Sequence, residues 1–328
     1  GSDFHRQAER QLSGKEDRPR EQPLFPSFIV TGHNMYYGKL GSIKMTELLK
    51  SLIRKFKILI KPNKIIKKVI NLGLNSSFKS ISIKTKEGKI KFFDFGSIAI
   101  WKAQTLLIQE PETIEWIETF LNNSVFWDIG TNIGGYSIYA GNSNKNLKIL
   151  AFEPSAVNFF LLNRNIFLNE MDQIISAYPI AFSDFNSLGY LHMNSDIPGG
   201  TMNIFSEKDI IKEAKIGGNF IQINCKQAMI SYTIDSFIDL YKPPLPNYIK
   251  IDVDNFGDKI IKGGAKILNS PKLKSVSIKL NDNEIDYVNR VITIMQKASF
   301  YKFEKYQHET IFHKGSYSSF YNYIFYKK

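Results

Sequence analysis

Beyond Asn122 short apolar runs alternate with amphipathic helical stretches, and this order constrains the fold more than any other feature of the 328-residue chain. Strands are predicted at Ser124 to Asp128, Leu147 to Glu153, Ile174 to Ala181, Tyr248 to Val253 and Leu273 to Leu280. Between them Gly135 to Ala140, Val157 to Asn169, Thr233 to Tyr241 and Asp258 to Leu268 read as crossover helices. Strand, crossover and parallel strand make βαβ units, so the pattern predicts an α/β, doubly wound sheet. After Glu284 a helix to about Ala298 leads into FYKFEKY and SFYNYIFYK, two alternating aromatic stretches that predict a closing antiparallel hairpin.

Upstream, three further regions precede this core. Residues 1–44 are rich in Gln, Pro and Gly and begin Gly1-Ser2, which reads as a tag, linker or disordered extension; an ordered arm docking through Phe25, Phe28 and Tyr36 is the alternative. Residues 45–70 form a basic amphipathic helix broken at Pro62, suited to cover the protein's own core or to touch an anionic membrane peripherally. From Phe78 to Trp101 the period falls to two, with Glu87-Gly88 as a turn, and Glu110 to Leu121 reads as a helix with Pro111 in its first turn. The expected division is therefore 1–44, a helical and β-hairpin region 45–121, and a core domain 122–328.

Composition excludes several classes. The single Cys225 forms no internal disulfide and no thiolate zinc site. No stretch reaches the about eighteen apolar residues of a membrane span, and the start lacks signal-peptide order, so a soluble, cytoplasmic protein is expected. The net charge of +12 invites nucleic acid, anionic lipid or an acidic substrate. Only seven of the 43 cations are Arg, the residue suited to bidentate reading of bases and phosphates, so nucleic acid is not the expected partner.

The chemistry concentrates in Val125-Phe-Trp-Asp-Ile-Gly-Thr-Asn-Ile-Gly-Gly135, an apolar strand that ends in Asp128 and enters a glycine loop opening a helix. Gly130 and Gly134 permit the tight turn and the approach of a ligand to backbone N–H groups. An acid at the strand end beside a mixed Gly/Asn loop suits a ligand bearing an ammonium group better than a pyrophosphate, and so S-adenosylmethionine better than NAD. The next strand ends in Glu153, twenty-five residues after Asp128, where a carboxylate can accept from both hydroxyls of a ribose. A solvated strand-end Glu is the plainer alternative. The third strand closes Pro179-Ile-Ala-Phe-Ser-Asp184, an apolar wall with a polar tip.

From EPETIEWIETF through VFWDIGTNIGGYS, ILAFEPSAVNFFLLNRNIFLN, AYPIAFSD and YTIDSF to PNYIKIDVDNFGDKIIKGGAKIL, the chain resembles the FkbM-type S-adenosylmethionine-dependent methyltransferases over roughly Leu106 to Phe303. The resemblance implies a seven-stranded class I methyltransferase (Rossmann-like) fold with S-adenosylmethionine as cofactor. Asp128, Gly130, Asn132 and Gly134 would form the methionine end of its site, Glu153 would take the ribose, and Ala181, Phe182 and Ser183 would line the adenine. Known members methylate hydroxyl groups, so O-methylation of a small-molecule or glycan acceptor is expected.

Methyl transfer to a hydroxyl needs alignment and a proton acceptor. Asp252 is the first candidate, followed by Asp254, with Asp258 and Lys279 as acceptor contacts; helix capping is an equally good account of Asp254 and a better one of Asp258. His5 and His33 fall in the N-terminal extension and His308 and His313 in the C-terminal hairpin region, away from the predicted ligand end, so His192 is the only histidine to test as a base, with a structural or exposed His as the plainer alternative. Relatives usually carry D-V-E-G-x-E where this chain has Asp252-Val-Asp-Asn-Phe-Gly257, and they often place an acid where Lys279 stands. Losing two carboxylates argues against a metal site and leaves open a catalytically silent module that keeps the fold. The Pro/Gly-rich segment 196–203 suits a lid over the pocket or an ordinary surface loop.

Overall fold

Strand β3, Val125–Ile129, explains how the core is built. Its side chains alternate across the sheet, so Phe126 and Trp127, both fully buried, enter different cores on opposite faces. Such two-sided burial requires a strand apolar almost throughout, as in parallel sheets covered on both faces. The computed structural model describes residues 79–209, 213–216, 219–254, 256–306 and 319–327, all within the compact unit Leu72–Lys328.

An antiparallel hairpin opens this unit, β1 Ser80–Thr85 with β2 Gly88–Phe93. Helices α1 Ser97–Gln109 and α2 Pro111–Glu118 follow. After β3 come α3 Gly135–Ser143, β4 Lys148–Phe152, α4 Ala156–Leu168 and β5 Ile175–Tyr178. Six strands outside the main sheet follow, β6 Ala181–Phe182, β7 Ser187–Met193, β8 Ile204–Ser206, β9 Glu213–Ile216, β10 Asn219–Gln222 and β11 Cys225–Tyr232, and lead to α5 Ile234–Tyr241. The chain closes with β12 Tyr248–Ile251, α6 Gly257–Lys262, α7 Ala265–Leu268, β13 Ser275–Asn281, α8 Ile285–Lys297, β14 Lys302–Tyr306 and β15 Phe320–Tyr326.

The main sheet has seven strands in the order β14-β15-β13-β12-β3-β4-β5. Strands β5, β4, β3, β12 and β13 run parallel, while β15 is antiparallel to both β13 and β14. Numbered along the core alone, this is the 3-2-1-4-5-7-6 sheet of class I methyltransferases, as expected. Helices α1 to α4 pack on the Phe126 face, and α5 to α8 on the Trp127 face. The chain leaves β3 toward β4 on one side and later places β12 on the other, so the strand order reverses there and opens a crevice beyond the strand tips.

Several expected boundaries shift for physical reasons. The alternation predicted to Trp101 ends at Phe93, and Gly96 (φ +88°) turns the chain into α1, whose Ala99, Ala103 and Leu106 bury at helical spacing. Ile174 to Ala181 divides at Pro179, which can donate no ladder hydrogen bond, into β5 and β6. Asp258 to Leu268 divides at Gly263-Gly264, where a Cβ on Gly263 would lie 2.2 Å from the Ser183 carbonyl oxygen. The second sheet, β6-β11-β7-β8, was not legible in the sequence pattern. The expectations for residues 1–44 and 45–70, for Asn255 and for His308 and His313 lie outside the described residues. No helix among the described residues is long and apolar enough to cross a membrane.

Candidate active site

A cavity of about 590 Å³ opens in the crevice beyond β3, β4, β12 and β13. This is within the roughly 300–1,000 Å³ usual for small-molecule sites. One wall is the β3–α3 loop with Gly130 and Asn132, and beside it stands Glu153 at the tip of β4. The opposite wall is one face of α1, with Ile98, Trp101 and Lys102. Asp252 and Asp254 after β12 and Lys279 on β13 form the floor.

The loop is shaped by backbone constraints. The N–H groups of Gly130 and Thr131 both donate to the Phe152 carbonyl, at 2.9 and 3.2 Å. Gly130 has φ +80°, and a Cβ there would lie 2.2 Å from the Asp252 carbonyl oxygen. Asn132 also takes a left-handed conformation (φ +53°), which asparagine tolerates. Its backbone N–H donates to Glu153 Oε2 at 2.8 Å, while Ser155 N–H donates to Oε1 at 2.9 Å. The Asn158 side chain also bonds to this carboxylate, which leaves at least one Glu153 oxygen with a lone pair for a ligand hydroxyl. Burial pushes the Glu153 carboxyl up to about 7 despite these donors.

Asp128 lies beneath the loop rather than in the cavity wall. Its Oδ2 accepts from Thr131 and Ser137 hydroxyls at 2.8 and 2.7 Å, and its Oδ1 has no partner. Burial raises its pKa. Gly134 (φ +86°) begins α3, where a Cβ would lie 2.6 Å from Leu162 Cδ1. Ala181, Phe182 and Ser183 sit at the junction of the two sheets and do not line the cavity; Ser183 N–H donates to the Tyr232 carbonyl.

The floor holds a closed ring of charges. Glu110 pairs with Lys279, Lys279 reaches Asp252 at 2.9 Å, and Lys250 reaches the same Asp252 oxygen at 2.7 Å. Lys250 Nζ lies 4.7 Å from the Tyr136 ring centre, and the Tyr136 hydroxyl bonds back to Glu110. Although burial works against the charged form, the two ammonium groups hold the Asp252 carboxyl far below the carboxylate range. Burial and the neighbouring Asp252 push Asp254 the other way. Asp252 is therefore a weaker proton acceptor than its position in the sequence implies. Lys279 is a member of this ring as well as a cavity residue, not a lysine reaching only for water.

Segment 196–203 crosses the cavity mouth and is tied down at several points. The Gly200 carbonyl accepts from Asn132 Nδ2 at 2.9 Å and Asn158 Nδ2 at 3.1 Å. Asn158 Oδ1 accepts from Gly199 N–H, and Asp254 Oδ2 accepts from Met202 N–H at 2.7 Å.

Of the expected catalytic and acceptor residues, two are likewise not brought here. His192 is buried on β7, its Nε2 3.2 Å from the Lys208 carbonyl, with Nδ1 unpartnered and no share in the cavity lining. Its strand belongs to the second sheet, which carries it away from the β12 tip. Asp258 begins α6 and pairs with Arg290 at 2.9 Å outside the cavity. Conversely, Lys102, Glu110 and Lys250 were not singled out from the sequence. The signal was present: Lys250 is the one charge in the buried YIKI strand, and Lys102 the one charge in helix SIAIWKAQTLLIQ.

The family model of the methyltransferase FkbM domain matches residues 128–302. Methyltransferase sdnD of Sordaria araneosa is 25% identical over 159 residues, 43% of this chain and 61% of that protein, so the match spans less than two thirds of the relative. Among solved structures, a precorrin-6y C5,15-methyltransferase from Geobacter metallireducens aligns with 67% of this chain and 87% of its own at 13% identity and TM-score 0.40. An S-adenosylmethionine-dependent O-methyltransferase from Thermotoga maritima covers 75% of this chain and 77% of its own at 10% identity and TM-score 0.39.

Proposed function

This chain belongs to the methyltransferase FkbM domain family, and from that premise we propose that it transfers a methyl group from S-adenosylmethionine to a hydroxyl of a saccharide or glycan precursor. The family and the class I fold imply use of that cofactor. The residues present fit it: a buried carboxylate with a spare lone pair at the β4 tip stands beside a loop that only glycine can build at Gly130. The cofactor supplies an electrophilic sulfonium methyl, so the protein contributes mainly alignment and proton removal.

In this reading Glu153 accepts the ribose hydroxyls, and the loop through Gly130 and Asn132 seats the methionine end. Asp128 acts from below by holding Thr131 and Ser137, and Gly134 keeps the loop against α4. The acceptor enters beside α1, where Trp101, Gln109, Asn203 and Tyr321 combine aromatic faces with amides, a mixture suited to the C–H faces and hydroxyls of a sugar. The segment through Gly200 and Met202 excludes water once the site is filled.

The observation that carries the reading is the Glu153 carboxylate, held in place by two backbone N–H groups facing the cavity beside the glycine loop. The experiment is transfer of a labelled methyl group from S-adenosylmethionine to a panel of saccharide, amine and carbon-nucleophile acceptors, with the product analysed by NMR. A methoxy carbon on a sugar supports the proposal, and label confined to nitrogen or carbon overturns it.

A further inference from the structure

Two lysines line the cavity, Lys102 and Lys279, and a third, Lys250, is buried against Asp252 beneath it. Lys250 and Lys279 belong to the charge ring described above. Lys102, on the cavity face of α1, has no hydrogen bond and no ion pair among the described residues. The charged groups facing it are Asp252 and Asp254 from the β12 tip, Glu110 from the end of α1, Lys279 from β13 and Glu153 from the β4 tip. None of the acids approaches closely enough to claim it.

The carboxylates around Lys102 each carry other contacts, of which the single N–H on Asp254 is the lightest. Asp252 is held by two ammonium groups, Glu110 by Lys279, Asp254 by the Met202 N–H, and Glu153 by two backbone N–H groups at the nucleoside end. A neutral Lys102 amine has a lone pair that nothing in the cavity occupies. We propose that Lys102 is the general base that takes the proton from the acceptor hydroxyl as the methyl group moves, a role that rests on the hydroxyl-methylation reading above.

The step balances. The hydroxyl O–H bond breaks and its proton goes to Lys102 Nζ. The freed oxygen electron pair forms the O–CH₃ bond, and the pair of the broken C–S bond leaves with sulfur as a neutral thioether. One positive charge disappears from sulfur as one appears on Lys102, so the net charge of the enclosed site does not change. A positive sulfonium beside Lys102 also favours the neutral amine before transfer. Burial acts in the same direction, lowering the Lys102 pKa from the usual lysine value, whereas its carboxylate partners raise that of Lys279.

The first test needs no acceptor. Acylation of individual lysines in the full chain is followed by peptide mass spectrometry across neutral to strongly alkaline pH, with exposed Lys148 as the internal reference. Lys102 is expected to show a midpoint about one pH unit or more below Lys148. Saturating S-adenosylmethionine should lower it further than the uncharged-sulfur product S-adenosylhomocysteine does. A midpoint equal to or above that of Lys148 with cofactor bound overturns the role alone. Failure of the wild-type protein to bind S-adenosylmethionine overturns the hydroxyl-methylation reading and this role with it.

The second test uses Lys102→Arg, which keeps the charge but does not release a proton at working pH, and Lys102→Gln. With an acceptor that the wild type methylates, both should lose about 100-fold or more in kcat while S-adenosylmethionine affinity stays within about threefold. Retention of rate by Lys102→Arg would show that the charge matters and the lone pair does not, which contradicts the proposal.

Discussion

The Asn132 backbone N–H donates to Glu153 Oε2 at 2.8 Å, joining the glycine loop after β3 to the carboxylate at the tip of β4. Asn132 reaches this position through a left-handed backbone conformation, and its side chain simultaneously binds the Gly200 carbonyl on the crossing segment. One residue thus fixes the carboxylate, the loop and the cover of the cavity.

The raised Glu153 pKa of about 7 has two consequences of opposite sign. Ribose hydroxyls bind the ionised carboxylate, so affinity for S-adenosylmethionine should rise as pH increases through neutrality. Stability should instead fall over the same direction: between about 4.5 and 7 the folded state binds a proton that the unfolded state has released, so unfolding becomes easier as pH rises. The span is on the order of 3 kcal/mol. Glu153→Gln should flatten both profiles, measured by calorimetric titration and by urea denaturation. Unchanged slopes would remove Glu153 from the account.

Gly130→Ala should destabilise the protein by about 3 kcal/mol, because the positive φ and the close Asp252 carbonyl oppose any side chain. Denaturation midpoints of the variant and wild type test this. A change of a few tenths would mean that the loop adapts freely.

In the charge ring, Lys279→Met leaves Glu110 buried without its cation and should cost about 3 kcal/mol. The double variant Lys279→Met with Glu110→Gln should recover part of that loss, giving a coupling energy in a double-mutant cycle. Strict additivity would show that the two residues do not support one another.

Asn158→Ala removes one of the two amides holding the Gly200 carbonyl, together with the acceptor for Gly199 N–H. Hydrogen exchange in residues 196–203 should become faster while the β3 and β4 amides remain protected, as local rather than global opening requires. Equal protection in variant and wild type would show that these bonds do not hold the segment.

The parallel core was legible because its inner strands are buried on both faces and therefore apolar almost throughout, as in VFWDI and KILAF. The hairpin region was harder. In α1 the run SIAIW alternates locally like a strand, and only burial at Ala99, Ala103 and Leu106 reveals the helical period. The second sheet was missed because its central β11 alternates mainly exposed with half-buried positions, a pattern with weak contrast. At the site, the glycine loop and Glu153 could be read because backbone geometry restricts the residues there. Lys102 stood out only as the lone charge of α1, and neither it nor Glu110 could be assigned to the cavity, since they reach it through the packing of α1, which no local motif encodes.

Calorimetric titration of the protein with S-adenosylmethionine tests the central claim most directly. Saturable binding of one molecule per chain, displaced by S-adenosylhomocysteine and weakened about 10-fold or more by Glu153→Ala, is the expected result. No binding, or equal binding by the Glu153→Ala variant, would contradict it.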